Sequence, residues 1–68
     1  MELNDYHNAK VLLNKLNQEI PNNTTILTTL AKAEILDNNP EMAKGYLQQA
    51  LAIFPEHEEA KELLSNLE

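Results

Sequence analysis

The chain has 68 residues, with 11 Asp and Glu against five Lys and Arg, a net charge of −6 and no Cys. So short a chain holds one small domain, and without Cys its stability must come from packing rather than from disulfides or thiolate metal sites. The negative charge repels phosphate backbones and anionic lipid headgroups, which disfavours nucleic-acid and membrane-surface functions. No run approaches the roughly 20 apolar residues that span a bilayer, and no signal-peptide pattern is present, so we expect a cytoplasmic protein.

Three turns divide the chain into four segments. Pro21, Pro40 and Pro55 each adjoin Asn or an acidic residue, a composition typical of turns. No stretch alternates apolar and polar residues with a period of two, so every segment is interpreted at the helical period. The sequence therefore predicts an all-α fold with helices at about 5–19, 24–37, 40–53 and 56–67.

The first two helices differ in how their apolar residues are arranged. The first carries a single stripe at steps of three and four, formed by Tyr6, Ala9, Leu13, Leu16 and Ile20. The second has apolar residues on two sides, namely Ile26, Leu30 and Ala33 on one and Leu27, Ala31 and Ile35 on the other. A helix that is apolar on two sides must pack between two neighbours.

The third and fourth helices have clear starts and faces. Asn39 is expected to cap the third helix, with Pro40 at its first position and Glu41 near the positive end of its dipole. Gly45 inside it costs about 1 kcal/mol relative to Ala and is interpreted as an exposed, tolerated glycine. The fourth helix has one apolar face, which is typical of an end cap, formed by Ala60, Leu63, Leu64 and Leu67.

The sequence repeats with a period of about 34 residues, within the range that indicates stacked supersecondary units. Ala9 and Lys10 recur as Ala43 and Lys44, and the other matches are Leu13 with Leu47, Pro21 with Pro55 and Leu30 with Leu64. We expect the repeated positions to form the core, with Ala31 and Ala43 meeting at a helix crossing. The predicted buried set is Ala9, Leu13, Leu27, Leu30, Ala31, Ala43, Leu47, Ala50 and Leu64.

The spacing of Ala43, Leu47, Ala50 and Pro55 resembles that of a tetratricopeptide repeat, whose length of about 34 residues is also the same. The resemblance implies an α-solenoid of antiparallel helix-turn-helix units, present here in a permuted phase. Residues 1–23 would be the second helix of one repeat, 24–57 a complete repeat, and 58–68 a first or capping helix. Three positions depart from the family pattern: Glu34 replaces an aromatic, Lys61 replaces a large apolar residue, and Pro40 replaces the residue matched by Tyr6.

The resemblance also implies a binding surface, because stacked helix pairs present a groove lined by the first helix of each repeat. That lining would be Thr25, Thr28, Thr29, Lys32, Ile35, Leu36, Glu59, Glu62 and Asn66. Singly, Thr25 or Asn66 could equally be a solvated position between buried ones. Family members that bind acidic C-terminal tails use a clamp of Lys, Arg and Asn, which this chain lacks at the matching positions. A basic or mixed segment is therefore the expected ligand.

Two functional hypotheses follow. The first is a non-catalytic scaffold that binds a protein or peptide in this groove. The alternative is a structural or assembly element that docks through its terminal helices, with a homodimer formed through Ala9, Leu12 and Leu16.

An enzyme is disfavoured, and neither a cofactor nor a metal is expected. The chain has no Cys nucleophile and no Gly-rich phosphate loop. His7 and His57 have no metal-ligating residue three or four positions away on their own helices. Glu34 and Asp37 share a helix face, but we expect them to be solvated, whereas acid–base catalysis needs a desolvated cleft.

Overall fold

The computed structural model describes residues 5–67, with side chains from His7 onward, so Tyr6 lies outside the described side chains. Its four helices are α1 (Asp5–Glu19), α2 (Thr24–Leu36), α3 (Pro40–Ile53) and α4 (Glu58–Leu67). No strand occurs among these residues, which confirms the all-α prediction. The second helix ends one residue earlier than predicted and the fourth begins two residues later. No helix in residues 5–67 is long and apolar enough to cross a membrane.

Asparagines shape two of the turns between the helices. Asn22 and Asn38 have φ angles of 66° and 61°, in the left-handed region that Asn tolerates better than most residues. The side chain of Asn23 accepts a hydrogen bond from the Ile26 amide at 3.1 Å and so caps α2. Asn39 is the N-cap residue of α3, with Pro40 at the helix start and Glu41 in the first turn, as predicted. Its side chain makes no capping hydrogen bond, because the amide group donates to the carboxylates of Glu34 and Asp37 instead.

The core lies between α2 and α3, with α1 and α4 packed on their outer sides. Its fully buried members are Leu27, Ala31, Ala43, Leu47, Ala50 and Ala60. Ala31 and Ala43 belong to this one cluster and have no exposed surface, as expected at a close helix crossing. Small side chains at such a crossing let the two helix axes approach closely.

The predicted buried residues of α2 and α3 are buried in the structure, whereas those of α1 and α4 are only partly buried. Leu27, Leu30, Ala31, Ala43, Leu47 and Ala50 are buried as predicted. Ala9, Leu13 and Leu64 are only partly buried. They lie on α1 and α4, which pack mainly against α2 and α3 respectively and are less enclosed than the two central helices.

A charged network fixes α1 against α2. The Nζ of Lys10 lies 3.2 Å from Oε1 of Glu34 and 2.6 Å from Oδ2 of Asp37. The Nδ2 of Asn39 donates to the same two oxygens at 3.1 and 3.3 Å. The Glu34 side chain is only 5% exposed, so the expectation of a solvated acid was wrong. Its burial is tolerated because Lys10 and Asn39 supply a cation and a donor.

The network also changes the titration of Lys10. Its hydrogen bond to Asp37 raises the pKa of the Lys10 ammonium above the ordinary value of 10.5, burial opposes this, and Glu34 adds to the rise. A raised lysine pKa means that the folded state holds the proton more tightly than the unfolded state does. The resulting stabilisation is complete below the ordinary pKa of 10.5 and is lost as the pH rises through the pKa of the folded state.

We predict that Ala43→Leu destabilises the fold by about 1–3 kcal/mol, because the added carbons have no space at the α2–α3 crossing. The control is Ala52→Leu, which makes the same chemical change at an exposed position of the same helix. It should change the free energy of unfolding by less than about 0.5 kcal/mol. Urea denaturation followed by circular dichroism measures both, and equal tolerance of the two variants would contradict the described core.

We predict that Lys10→Met lowers the free energy of unfolding by about 1–3 kcal/mol at neutral pH, because it leaves the buried Glu34 without its cation. The difference from the wild type should be constant at neutral and mildly alkaline pH and should shrink above pH 10.5, as the wild type also loses the charge. Denaturation curves at a series of pH values measure this. Lys15→Met, at an exposed position of α1, is the control, and an equal loss in that variant would refute the role of the network.

Candidate functional site

The residues predicted to line a binding groove lie on α2 and α4. The surface that these two helices form is called here the α2/α4 surface. Two contacts join these elements. Lys32 forms an ion pair with Glu59, both side chains being about half exposed. Deeper between the helices, the Thr28 hydroxyl lies 3.4 Å from Nε2 of His57, the residue before α4. The two helices therefore form one continuous surface, although the whole of α3 separates them in sequence.

His57 positions the start of α4. Its Nδ1 accepts a hydrogen bond from the Ala60 amide at 3.4 Å, which occupies one of the free amides at the helix N-terminus. The Thr28 hydroxyl donates its only hydrogen to the Thr24 carbonyl at 2.7 Å, so the hydrogen shared with His57 must come from Nε2. The neutral tautomer with hydrogen on Nε2 satisfies all three groups, and His57 has a structural role there.

The exposed part of α2 on this surface is a stripe of Thr25, Thr29, Lys32 and Leu36, at alternating steps of four and three along the helix. Leu36 is 60% exposed and can be contacted from solvent. Thr29 donates its hydroxyl hydrogen to the Thr25 carbonyl at 2.7 Å, leaving its lone pairs to face solvent. The stripe therefore ends in an apolar residue and is otherwise polar.

Two predicted lining residues lie below the surface. Thr28 is only 2% exposed, so the interpretation of this residue as surface lining was wrong. Its hydroxyl is satisfied within the protein, as described above, and its methyl group packs inside. Ile35 is partly buried and packs against the core cluster. The sequence pattern could not distinguish Thr28 from the exposed threonines, because Thr is compatible with either environment, whereas Ile35 lies on the apolar side of α2 that it shares with Leu27 and Ala31.

The α4 side of the surface is acidic. Glu59, Glu62 and Asn66 are all exposed, as the predicted lining requires. Lys32 is neutralised by Glu59, whereas Glu62 makes no ion pair within residues 5–67. The local charge of the α2/α4 surface is thus negative, in the same sense as the net charge of the chain.

An exposed apolar area lies on α1. Leu12 is 59% exposed and Val11 and Ile20 are also exposed, while Ala9 and Leu16 are partly buried. Ile20 was assigned to the apolar stripe of the first helix, but half of its surface is exposed.

On α3, a shallow depression of about 340 Å³ follows one face of the helix and is lined by Glu41, Met42, Gly45, Tyr46 and Gln49. A Cβ added at Gly45 would meet no atom within 4 Å, so this glycine is tolerated, as predicted, and serves no close helix contact within the described residues.

No group of three or more metal-ligating side chains comes together within residues 5–67. Glu34 is the one buried acid in that part of the chain, and it is paired with Lys10 rather than facing a cleft. The α2/α4 surface instead offers hydroxyl oxygens, a carboxylate and an exposed aliphatic side chain. Such groups can form hydrogen bonds, attract a cation and cover an apolar side chain of a ligand.

Comparison with known proteins gives one result that bears on this surface. The family model for the tetratricopeptide repeat matches residues 1–67. Searches among curated proteins and among solved structures gave no significant match. The family match covers nearly the whole chain and agrees with the four helices, the internal repeat and the small residues at the α2–α3 crossing. The chain belongs to the tetratricopeptide repeat family.

Proposed function

We propose that the chain is a non-catalytic scaffold that binds a peptide or protein segment across the α2/α4 surface. The observation that carries the proposal is the exposed stripe of Thr25, Thr29, Lys32 and Leu36 beside the exposed acids of α4. Tetratricopeptide repeats generally mediate protein–protein interactions, which supports a protein partner. The ordered helices on both sides of the surface are formed before binding, so little ordering entropy is lost by the scaffold.

The ligand we propose is basic or mixed in charge, with one apolar side chain. Glu62 offers a carboxylate without an ion-pair partner among the described residues, and Lys32 is held by Glu59. An acidic tail would meet net repulsion from a chain of charge −6. Leu36, at the end of the stripe, supplies the apolar contact, because burying it removes an exposed aliphatic side chain from water.

A second candidate function is assembly through α1. The assembly surface comprises the predicted residues Ala9, Leu12 and Leu16. Leu12 is 59% exposed, and Ile20, directly after the end of α1, is 50% exposed. Burial of apolar surface is worth about 25 cal/mol per Å², so a few hundred Å² on each copy would offset part of the cost of association. The net charge opposes a homodimer, although physiological salt screens it.

We predict that fluorescently labelled peptide pools rich in Lys and Arg bind the chain more tightly than acidic pools, with the difference shrinking as salt is raised. Fluorescence anisotropy at two salt concentrations measures this. Glu62→Gln should weaken binding of the basic pool, and Leu36→Ser should weaken binding of peptides that contain an apolar residue.

The control for Glu62→Gln is Glu41→Gln, which removes the same charge from an exposed position on α3, outside the α2/α4 surface. It should leave binding almost unchanged beyond a small loss of long-range attraction. A preference for the acidic pool, or an equal effect of the two Gln variants, would show that the charge argument or the proposed surface is wrong.

For the second candidate function we predict a weak, concentration-dependent homodimer that Leu16→Glu abolishes. Sedimentation equilibrium across a hundredfold range of protein concentration measures the association. The partly buried position of Leu16 allows the introduced carboxylate to reach solvent in the monomer, so the variant should still fold, which circular dichroism checks. A wild type that stays monomeric throughout, or a variant that associates equally well, would reject the homodimer.

A further inference from the structure

The α2/α4 surface continues past His57 to the ring of Phe54. On one side the His57 ring meets α2, with Nε2 lying 3.4 Å from the Thr28 hydroxyl. It also packs against the Phe54 ring, with the two ring centres 5.9 Å apart and the ring planes at 59°. A tilted aromatic contact of this kind is favourable and restrains both rings. Phe54 is 50% exposed, so part of its ring stays open to solvent beside the surface.

Phe54 and Leu36 lie toward opposite ends of this surface. Leu36 is the last residue of α2, whereas His57 meets α2 at Thr28, close to the start of the helix. Thr28 and Leu36 are eight residues apart, which is about 12 Å along a helix. Because the Phe54 ring lies beyond His57, the two exposed apolar side chains are separated by roughly 12–18 Å.

Charged side chains lie between these two apolar ends. Lys32, in the middle of the α2 stripe, is paired with Glu59, and Glu62 follows one turn later on the same side of α4. This part of the surface therefore has one carboxylate in excess. The Lys32–Glu59 pair bridges α2 and α4, so a ligand must lie along the two helices on top of it. An extended chain suits that space better than a helix, whose diameter is about 10–12 Å.

We propose that Phe54 is a second apolar anchor of the α2/α4 surface, and that the ligand is an extended segment with apolar residues at positions i and i+4 and a Lys or Arg at i+2. Residues of an extended chain advance about 3.3 Å each and alternate in direction, so these three side chains face the surface together and the apolar pair spans about 13 Å. The apolar side chains contact Leu36 and Phe54, and the cation contacts Glu62. This inference rests on the proposed function and extends its ligand from one apolar side chain to two of defined spacing.

Three short peptides of Ser, Lys and Leu test the spacing by NMR titration of the full chain. The first carries Leu at i and i+4 with Lys at i+2, the second has the same composition with the two Leu side by side, and the third replaces one Leu of the first by Ser. We expect the first peptide to bind at least about fivefold more tightly than either of the others, because only it can bury apolar surface at both anchors. Equal binding of the first two peptides would overturn the proposed spacing.

Variants of the chain test whether Phe54 is the second anchor. Phe54→Ser should weaken binding of the first peptide at least about fivefold and of the third by no more than about twofold. Phe54→Leu, which keeps an apolar side chain, should retain most of the affinity. The control is Met42→Ser, which removes a side chain of similar exposure, 53%, at the other end of α3 and should change binding by no more than about twofold. Circular dichroism checks folding, and the peptide comparison depends on no variant.

The outcomes separate this inference from the proposed function. If Leu36→Ser and Glu62→Gln weaken binding of the first peptide but Phe54→Ser does not, the peptide-binding surface stands and Phe54 is not part of it. Equal losses in Phe54→Ser and Met42→Ser would also overturn the inference. If none of the three peptides binds, the proposed function fails together with it.

Discussion

The close approach of α2 and α3 is the contact on which the rest of the structure depends. Ala31 and Ala43 have no exposed surface and share one cluster with Leu27, Leu47 and Ala50. Small residues at the crossing let the large ones on either side interdigitate, as ridges of one helix pack into grooves of the other. Both outer helices dock onto this pair, so a change that separates α2 from α3 also removes the platform for α1 and α4.

The outer helices are held by different means. On one side, α1 is fixed by the network of Lys10 with Glu34 and Asp37 in addition to partly buried apolar contacts. On the other, α4 inserts Ala60 fully into the core and is started by the His57 hydrogen bond. The first arrangement makes the orientation of α1 sensitive to charge. The second makes the position of α4 sensitive mainly to the packing of Ala60 and to the hydrogen bonds of the His57 ring.

The sequence predicted the helices and the repeat well, because both depend on local patterns. Prolines with adjacent Asn mark the turns, and apolar residues at steps of three and four define the helix faces. The repeat then placed Ala31 and Ala43 at the helix crossing. The helix and turn signals use residues close together in the chain, and the repeat adds the comparison of positions one period apart.

What the sequence did not predict depends on contacts between distant residues. Lys10 and Glu34 are 24 positions apart, and neither has a local signal that it will be buried with the other. Asn39 precedes a proline in a helix-start pattern, yet its side chain turns toward Glu34 because a buried carboxylate competes for its donor. Thr28 lies inside for a similar reason, since its bond to the Thr24 carbonyl lets a polar residue be buried at little cost.

The molecule has two surfaces of different polarity, one formed by α2 and α4 and the other on α1. The α2/α4 surface is polar and acidic, with Leu36 as its main exposed apolar residue. The apolar residues Ala9, Leu13 and Leu16 of α1 are partly exposed, whereas the residues at the same repeat positions in α3 are fully buried.

The central claim is that the α2–α3 contact supports the remaining helices, and native-state amide hydrogen exchange measured by NMR tests it most directly. The account predicts that the amides of Ala31 and Leu47 exchange only through global unfolding. Amides in the middle of α1 and α4 should exchange faster, through local openings of lower free energy. Protection in α1 or α4 greater than that of Ala31 and Leu47 would contradict the account, because an outer helix would then stay folded while the central pair opens.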